Sequence, residues 1–222
     1  MKRSTKTLLT ALTASAALAV GSADAEIIVT PISVTASSGG GNQAPENVIN
    51  GNGFNAASPI ASSTHLDSDD DGVSEGGGSG FFWHGAGNDL APEIDFNLGA
   101  ATNLQSLVLW NFNVDFNSTD ETNRGAQNFT VIGSTDATFG NGDDVNLGSF
   151  VAAEAGGTDA EVGQVFALSG TYQYIRLDIT SNHGGNRTGL SEVRFTAVPE
   201  SSSLALLGLG GFCLIKRRRR EA

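Results

Sequence analysis

Between Glu26 and Val198 the apolar residues recur at every second position or in short continuous runs, and almost nowhere at the spacing of a helix face. Tyr174–Ser181 shows it most clearly. Ile175, Leu177 and Ile179 fall on one side, and Arg176, Asp178 and Thr180 on the other. Glu93–Leu98 alternates in the same way. Leu104–Val114 carries Leu107, Val108, Leu109, Trp110 and Phe112 on both faces, which predicts a strand covered on both sides. Further strands are expected at Ile27–Ala36, Gln127–Thr135, Val145–Val151, Gln164–Leu168 and Leu190–Ala197, with Gly, Asn, Asp and Ser between them. About eight such segments in one stretch predict an all-β domain, a β-sandwich or jelly roll.

The two ends read differently. Met1-Lys2-Arg3 and Lys6 precede an apolar, Ala-rich run from Leu8 to Val20, followed by Ala23-Asp24-Ala25. Charge, short apolar core and small residues in that order predict a signal peptide, with an N-terminal signal helix over residues 1–25 and cleavage after Ala25. The domain then occupies 26–198. In the tail, residues 199–222, Pro199-Glu200-Ser201-Ser202-Ser203 leads into an apolar run from Leu204 to Ile215 and then Lys216, Arg217, Arg218, Arg219 and Arg220. This predicts a short hydrophobic helix with its basic end on the cytoplasmic side, the chain's one contact with a membrane. The tail resembles the PEP-CTERM sorting signal, with Ser201 where that signal has its second Pro. The resemblance implies a Gram-negative host, a partner protease of the exosortase type, and delivery to the cell surface or an extracellular polysaccharide matrix.

Charge narrows the partners. Residues 26–198 hold 21 Asp and Glu against four Arg (Arg124, Arg176, Arg187, Arg194) and no Lys, a net −17 beside −12 for the whole chain. Such a domain repels nucleic acid and anionic lipid, and suits cations or neutral ligands. The one cysteine, Cys213, lies in the tail, so the domain has no disulfide and no thiolate chemistry. His65, His84 and His183 sit in no H-E-x-x-H motif, no G-x-S-x-G occurs, and no Lys completes a phosphate-binding Gly loop. The expectation is a protein that is not an enzyme. A hydrolase would need a cleft with two opposed carboxylates.

Five segments in order carry a second resemblance: Ala44-Pro45-Glu46-Asn47-Val48-Ile49-Asn50-Gly51-Asn52; Phe96-Asn97-Leu98-Gly99 with the strand at Leu107–Phe112; Arg124-Gly125-Ala126-Gln127-Asn128-Phe129-Thr130-Val131; Tyr174-Ile175-Arg176-Leu177; and Gly189-Leu190-Ser191-Glu192-Val193-Arg194-Phe195. Together they resemble the galactose-binding-like, discoidin (coagulation factor V/VIII type C) family. The resemblance implies an eight-stranded jelly-roll β-sandwich with ligand-binding loops at one end. It also implies a structural calcium held by Asn50, Asn52 and Glu192, with loop carbonyls such as that of Val48. Asn50 stands where the family has Asp, which removes one negative charge. The alternative is that Glu192 pairs with Arg176 or Arg194 and the Asn side chains shape turns.

Other loops suggest ligand chemistry. Asp67, Asp69 and Asp71-Gly72 fit the first half of an EF-hand-like calcium loop, but Gly78 stands at the twelfth position in place of Glu; the alternative is a solvated acidic loop. Phe81, Trp83 and His84 could stack on sugar rings, or Trp83 could plug one end of the sandwich. His183 and Arg187, in the link between the last two strands, could hydrogen-bond sugar hydroxyls, or form a capped turn. The expected function is a non-catalytic module binding carbohydrate or extracellular polysaccharide. The alternative is a structural or adhesive surface protein without a sugar ligand.

Overall fold

The computed structural model describes residues 27–39, 43–54, 60–66, 80–116, 119–157 and 161–198. The expected terminal helices, Ala23 and Ala25, Asp67, Asp69 and Asp71, and the sorting residues Pro199, Glu200 and Arg217–Arg220 lie outside them. Among the described residues no helix is long and apolar enough to cross a membrane.

The described residues form thirteen strands: β1 (Ile27–Val29), β2 (Ser33–Ala36), β3 (Thr64–His65), β4 (Trp83–His84), β5 (Glu93–Asn111), β6 (Asp115–Phe116), β7 (Thr119–Asp120), β8 (Ala126–Ser134), β9 (Val145–Val151), β10 (Glu161–Val162), β11 (Gln164–Ala167), β12 (Thr171–Asn182) and β13 (Gly189–Ala197). The short β3/β10 and β6/β7 ladders stand apart. Two 3₁₀ turns, Pro45–Ile49 and Thr122–Arg124, complete the described elements. The fold is the all-β jelly-roll sandwich that the strand pattern predicts.

β5 belongs to both layers. Its first part pairs with β2 and β12, from Asn97↔Ser33 and Asn97↔Tyr174 to Glu93↔Asp178. The ladder with β12 is interrupted near Gly99, where φ is +85° and glycine is the residue that adopts it freely; it resumes at Thr102 and Asn103, and the strand crosses to the other layer at Leu104. Its second part then pairs with β13 and β11. The first layer thus runs β2–β5–β12–β8–β9. The second runs β13–β5–β11, with β1 and β4 on the other edge of β13. Sequence patterning suggested two separate strands at Glu93–Leu98 and Leu104–Val114; the hydrogen bonding continues through both. Conversely, Ile27–Ala36 reads as one strand and forms two. Pro31 separates them, β1 pairing in the second layer and β2 in the first.

Ile94, Phe96, Leu98, Ile175, Leu177 and Ile179 from the first layer meet Leu107, Leu109, Val193 and Phe195 from the second, all buried. Phe96 against Phe195, with centroids 5.6 Å apart, and Phe129 against Phe166, at 5.2 Å, are edge-to-face contacts between the layers. At roughly 1.5–3 kcal/mol for each fully buried large apolar side chain, this core is the main stabilising term. The opposite face of the second layer is covered too. Phe54 packs on Trp110 at 4.9 Å and on His65 at 4.8 Å, and Trp110 Nε1 donates to the Ser63 carbonyl at 3.0 Å. That cover is why Leu104–Val114 is apolar on both sides.

Candidate functional site

A register shift between Leu190 and Glu192 turns Glu192 and Arg194 away from the core. Their side chains lie under the cover formed by residues 51–54 and 60–66. Glu192 is 0 % exposed and Arg194 3 %. The Arg194 guanidinium forms an ion pair with Glu192 Oε1. Glu192 Oε2 accepts from the Gly51 N–H at 3.3 Å, and Arg194 Nη1 donates to the Val193 carbonyl at 2.9 Å. Burial pushes the Glu192 carboxyl up to about 8, against the pull of Arg194 and Gly51, and pushes the Arg194 guanidinium down. Each partner pulls the other back toward its charged form, against the cost of burial.

The residues around Glu192 do not fit calcium. The ion needs six to eight oxygens, yet Glu192 is engaged on both oxygens, and a divalent cation there would face the guanidinium. Asn50 Oδ1 accepts from the Asn52 N–H at 2.7 Å, while Asn50 Nδ2 donates to the Gly80 carbonyl at 2.9 Å and to Asn47 Oδ1 at 3.3 Å. Asn50 therefore closes a turn. Among the described residues no three His, Cys, Asp or Glu side chains converge as a metal site.

His65 belongs to the same cover. Its Nδ1 lies 2.7 Å from the Leu66 carbonyl, which assigns the proton to that nitrogen. Burial lowers its pKa from 6.5 to about 4. A Cβ on Gly53, where φ is +87°, would stand 2.5 Å from the imidazole, so this turn requires glycine.

A second gathering of polar groups forms at the end of the sandwich where β12 stops and β13 starts. Three loops meet there. The Gly85 and Asn88 N–H groups donate to the carbonyls of Thr188 and Asn186, both at 2.8 Å. The Gly185 N–H donates to the Asn123 carbonyl at 2.9 Å, and the His183 N–H to the Gly125 carbonyl at 3.2 Å. Asn182 braces the last loop from inside: its Nδ2 donates to the carbonyls of Gly185 (3.1 Å) and Arg187 (2.7 Å), and its Oδ1 accepts from the Gly184 N–H at 3.0 Å.

These loops bring together His84, His183, Arg187 and Arg124. Arg124 pairs with Glu121, and burial lowers its pKa despite that partner. Arg187 makes no ion pair with a described residue, and its Nε, like His183 Nε2, is shielded from solvent without a hydrogen-bond partner. His84 Nδ1 lies 2.9 Å from the Gly85 carbonyl; burial, then Arg187 and Arg124, lower its pKa, so the ring is held neutral with Nε2 as an acceptor. The arrangement offers guanidinium donors and a neutral acceptor on braced backbone, which suits hydroxyl-rich ligands.

Of the expected stacking residues, Trp83 is 0 % exposed, in β4 against β13, and belongs to the core. It plugs the sandwich and presents no platform. His84 is 8 % exposed and lies parallel to Phe82 at 6.0 Å. Phe81 is half-buried against a small cluster of Phe82, Phe112 and Val114. His183 and Arg187 are half-exposed on the braced loop. Sequence reading missed Arg124 and Glu121, which only the tertiary meeting of loops brings to this end.

No protein-family model and no curated protein matches the chain. Solved structures match its fold. The family 32 carbohydrate-binding module of C. perfringens NanJ, in complex with galactose, is 13 % identical with a TM-score of 0.51, over 78 % of this chain and 99 % of that one. Truncated AlyQ, with CBM32 and alginate lyase domains, is 18 % identical with a TM-score of 0.51; the match covers 80 % of this chain and 35 % of that longer one. The CBM32-1 and CBM32-2 domains of C. perfringens ZmpB, in complex with GalNAc, give 12 %, 0.51, 76 % and 34 %. The chain therefore shares the jelly-roll β-sandwich fold of these family 32 modules.

Proposed function

We propose that the domain is a non-catalytic carbohydrate-binding module whose ligand meets the loops at residues 84–89, 121–125 and 182–188. One observation carries this reading. Arg187, unpaired among the described residues, shares with His183 a loop braced by Asn182 and lies close enough to the neutral His84 to lower its pKa. Likeness of fold to modules solved with galactose and GalNAc supports it at the level of architecture. The terminal segments support a setting at a bacterial surface or in an extracellular polysaccharide, with an exosortase-type protease as processing partner. In this reading Arg194 fills the electrostatic role that calcium has in the family.

A glycan array followed by titration calorimetry tests the proposal. Binding to at least one neutral or acidic glycan, weakened by Arg187→Ala at unchanged melting temperature, is the expected result. Burial of Trp83 favours the alternative, a structural surface protein. A silent array would establish that alternative.

A further inference from the structure

The outward face of the first layer carries a pocket of about 240 Å³ that none of the loop residues above lines. Two cross-strand rows build its floor. Ser33, Asn97 and Tyr174 stand opposite one another on β2, β5 and β12; Thr35, Asp95 and Arg176 form the next outward row. The intervening Val34, Phe96 and Ile175 point into the core, so period-two alternation fixes this polar set on the outside.

One wall is aromatic. The segment after β8 folds back over the sheet, with Ser134 Oγ donating to Asp143 Oδ2 at 3.1 Å and Thr135 Oγ1 to the same oxygen at 2.7 Å. This brings Phe139 over Arg176, whose Cζ lies 4.5 Å from the ring centroid. Arg176 is itself fixed. Its Nε and Nη2 donate to the two oxygens of Asp95 at 2.6 and 2.8 Å, and its Nη1 lies 2.8 Å from Glu93 Oε2. Phe139 and Tyr174 are thus half-exposed rings held at defined places on the pocket lining.

The hydrogen-bonding groups beside the rings are unspent. Ser33 and Thr35 hydroxyls have no partner among the described residues. Asn97 Oδ1 accepts from the Gly99 N–H at 2.8 Å and from Gln173 Nε2 at 3.3 Å, which leaves its amide N–H groups as donors. Tyr174 Oη accepts from Gln173 Nε2 at 3.2 Å, so its own proton is available. Two rings with hydroxyls and an amide between them match the alternation of apolar C–H faces and equatorial hydroxyls on a pyranose. The charge selects further. One guanidinium faces two carboxylates, Asp95 and Glu93, and Asp178 adds to the field on Arg176. That excess of negative charge repels uronates and sulfated sugars.

We infer that this sheet face is a second carbohydrate site, taking one pyranose ring of a neutral glycan between Phe139 and Tyr174 over Ser33, Thr35 and Asn97. It shares a ligand class with the loop-end reading but none of its residues, so either can fail alone.

Nuclear magnetic resonance on the full chain, titrated separately with neutral hexasaccharides of β-1,4-linked glucose, mannose and galactose and with a mannuronate hexamer, tests it. At least one neutral probe should shift the Asn97 side-chain amide and the Ser33 and Thr35 backbone amides, and the mannuronate should not. Phe139→Ala should weaken that binding roughly tenfold, as loss of one stacked ring implies. Thr35→Phe, which fills the pocket from an exposed position, should abolish it. The proposal is overturned if no neutral probe moves these amides, or if both pocket variants bind as the unaltered chain does. Shifts confined to residues 182–188 and lost in Arg187→Ala would uphold the loop-end reading and remove this one.

Discussion

Arg194 lies against Glu192 beneath the Gly51 turn, and neither side chain reaches solvent. A guanidinium and a carboxylate two residues apart on one strand thus fasten the early loop to the last strand of the sandwich.

Removing one partner leaves the other buried without its counterpart. Glu192→Gln and Arg194→Met should each destabilise the protein by about 3–5 kcal/mol, whereas the double variant should recover most of that loss. Urea unfolding measures all three. Equal losses for the double and single variants would refute the pairing.

Because Arg194 already neutralises Glu192, the melting temperature should be the same in millimolar calcium and in excess chelator. A ligand of the folded state at a hundredfold excess over its dissociation constant would add about 2.7 kcal/mol, which a melting curve resolves easily. A calcium-dependent rise abolished by Glu192→Ala would show that the ion displaces Arg194.

His65 makes the fold acid-sensitive. Its folded pKa, about 4, lies below the ordinary 6.5. Its contribution is therefore present above 6.5 and is lost as pH falls through 4, about 3 kcal/mol in all. Glu192 acts with opposite sign: its raised value gives a contribution present below 4.5 and lost as pH rises through about 8. Subtracting the stability curve of His65→Asn from that of the unaltered chain should isolate the acid limb. A flat difference between pH 6.5 and 4 would contradict the burial of a neutral imidazole.

Asn182 braces the loop that carries His183 and Arg187. Asn182→Ala removes three hydrogen bonds and leaves partly buried carbonyls unsatisfied, at about 1–3 kcal/mol in stability. It should also weaken glycan binding with a more unfavourable entropy, because the loop must be ordered on binding. Arg187→Ala should weaken binding without the stability loss. Calorimetry and thermal unfolding on both variants separate the two effects.

Much of the architecture was legible because the two layers obey simple alternation. Ile175, Leu177 and Ile179 point inward as their spacing requires. The same alternation held the sheet-face pocket, since Tyr174 and Arg176 are its outward partners, but strand pairing was needed to bring Ser33, Asn97 and Asp95 beside them. The break at Pro31 between β1 and β2 was hidden by the β-branched run on either side of it, which reads as one strand. Continuity of β5 carried no signal, because the irregular stretch near Gly99 reads like any turn. At the candidate site the sequence singled out His183 and Arg187, while Arg124 arrives from another loop through backbone bonds that no local pattern encodes. Whether Glu192 would hold a cation or an arginine turned on the bulge that sends both side chains outward, again a tertiary event.

The antiparallel match of Ile27 with Ala197 has a mechanical consequence. The domain's two ends leave side by side, and residues 182–188 sit at the far tip of β13. Tension between a tip-held ligand and a tether at Val198 would run lengthwise along β13, straining its flanking ladders in shear, where many bonds must fail together. Tension between the two ends would instead peel β1 away one bond at a time. Such a module would resist load carried from its tip and yield to load across its base.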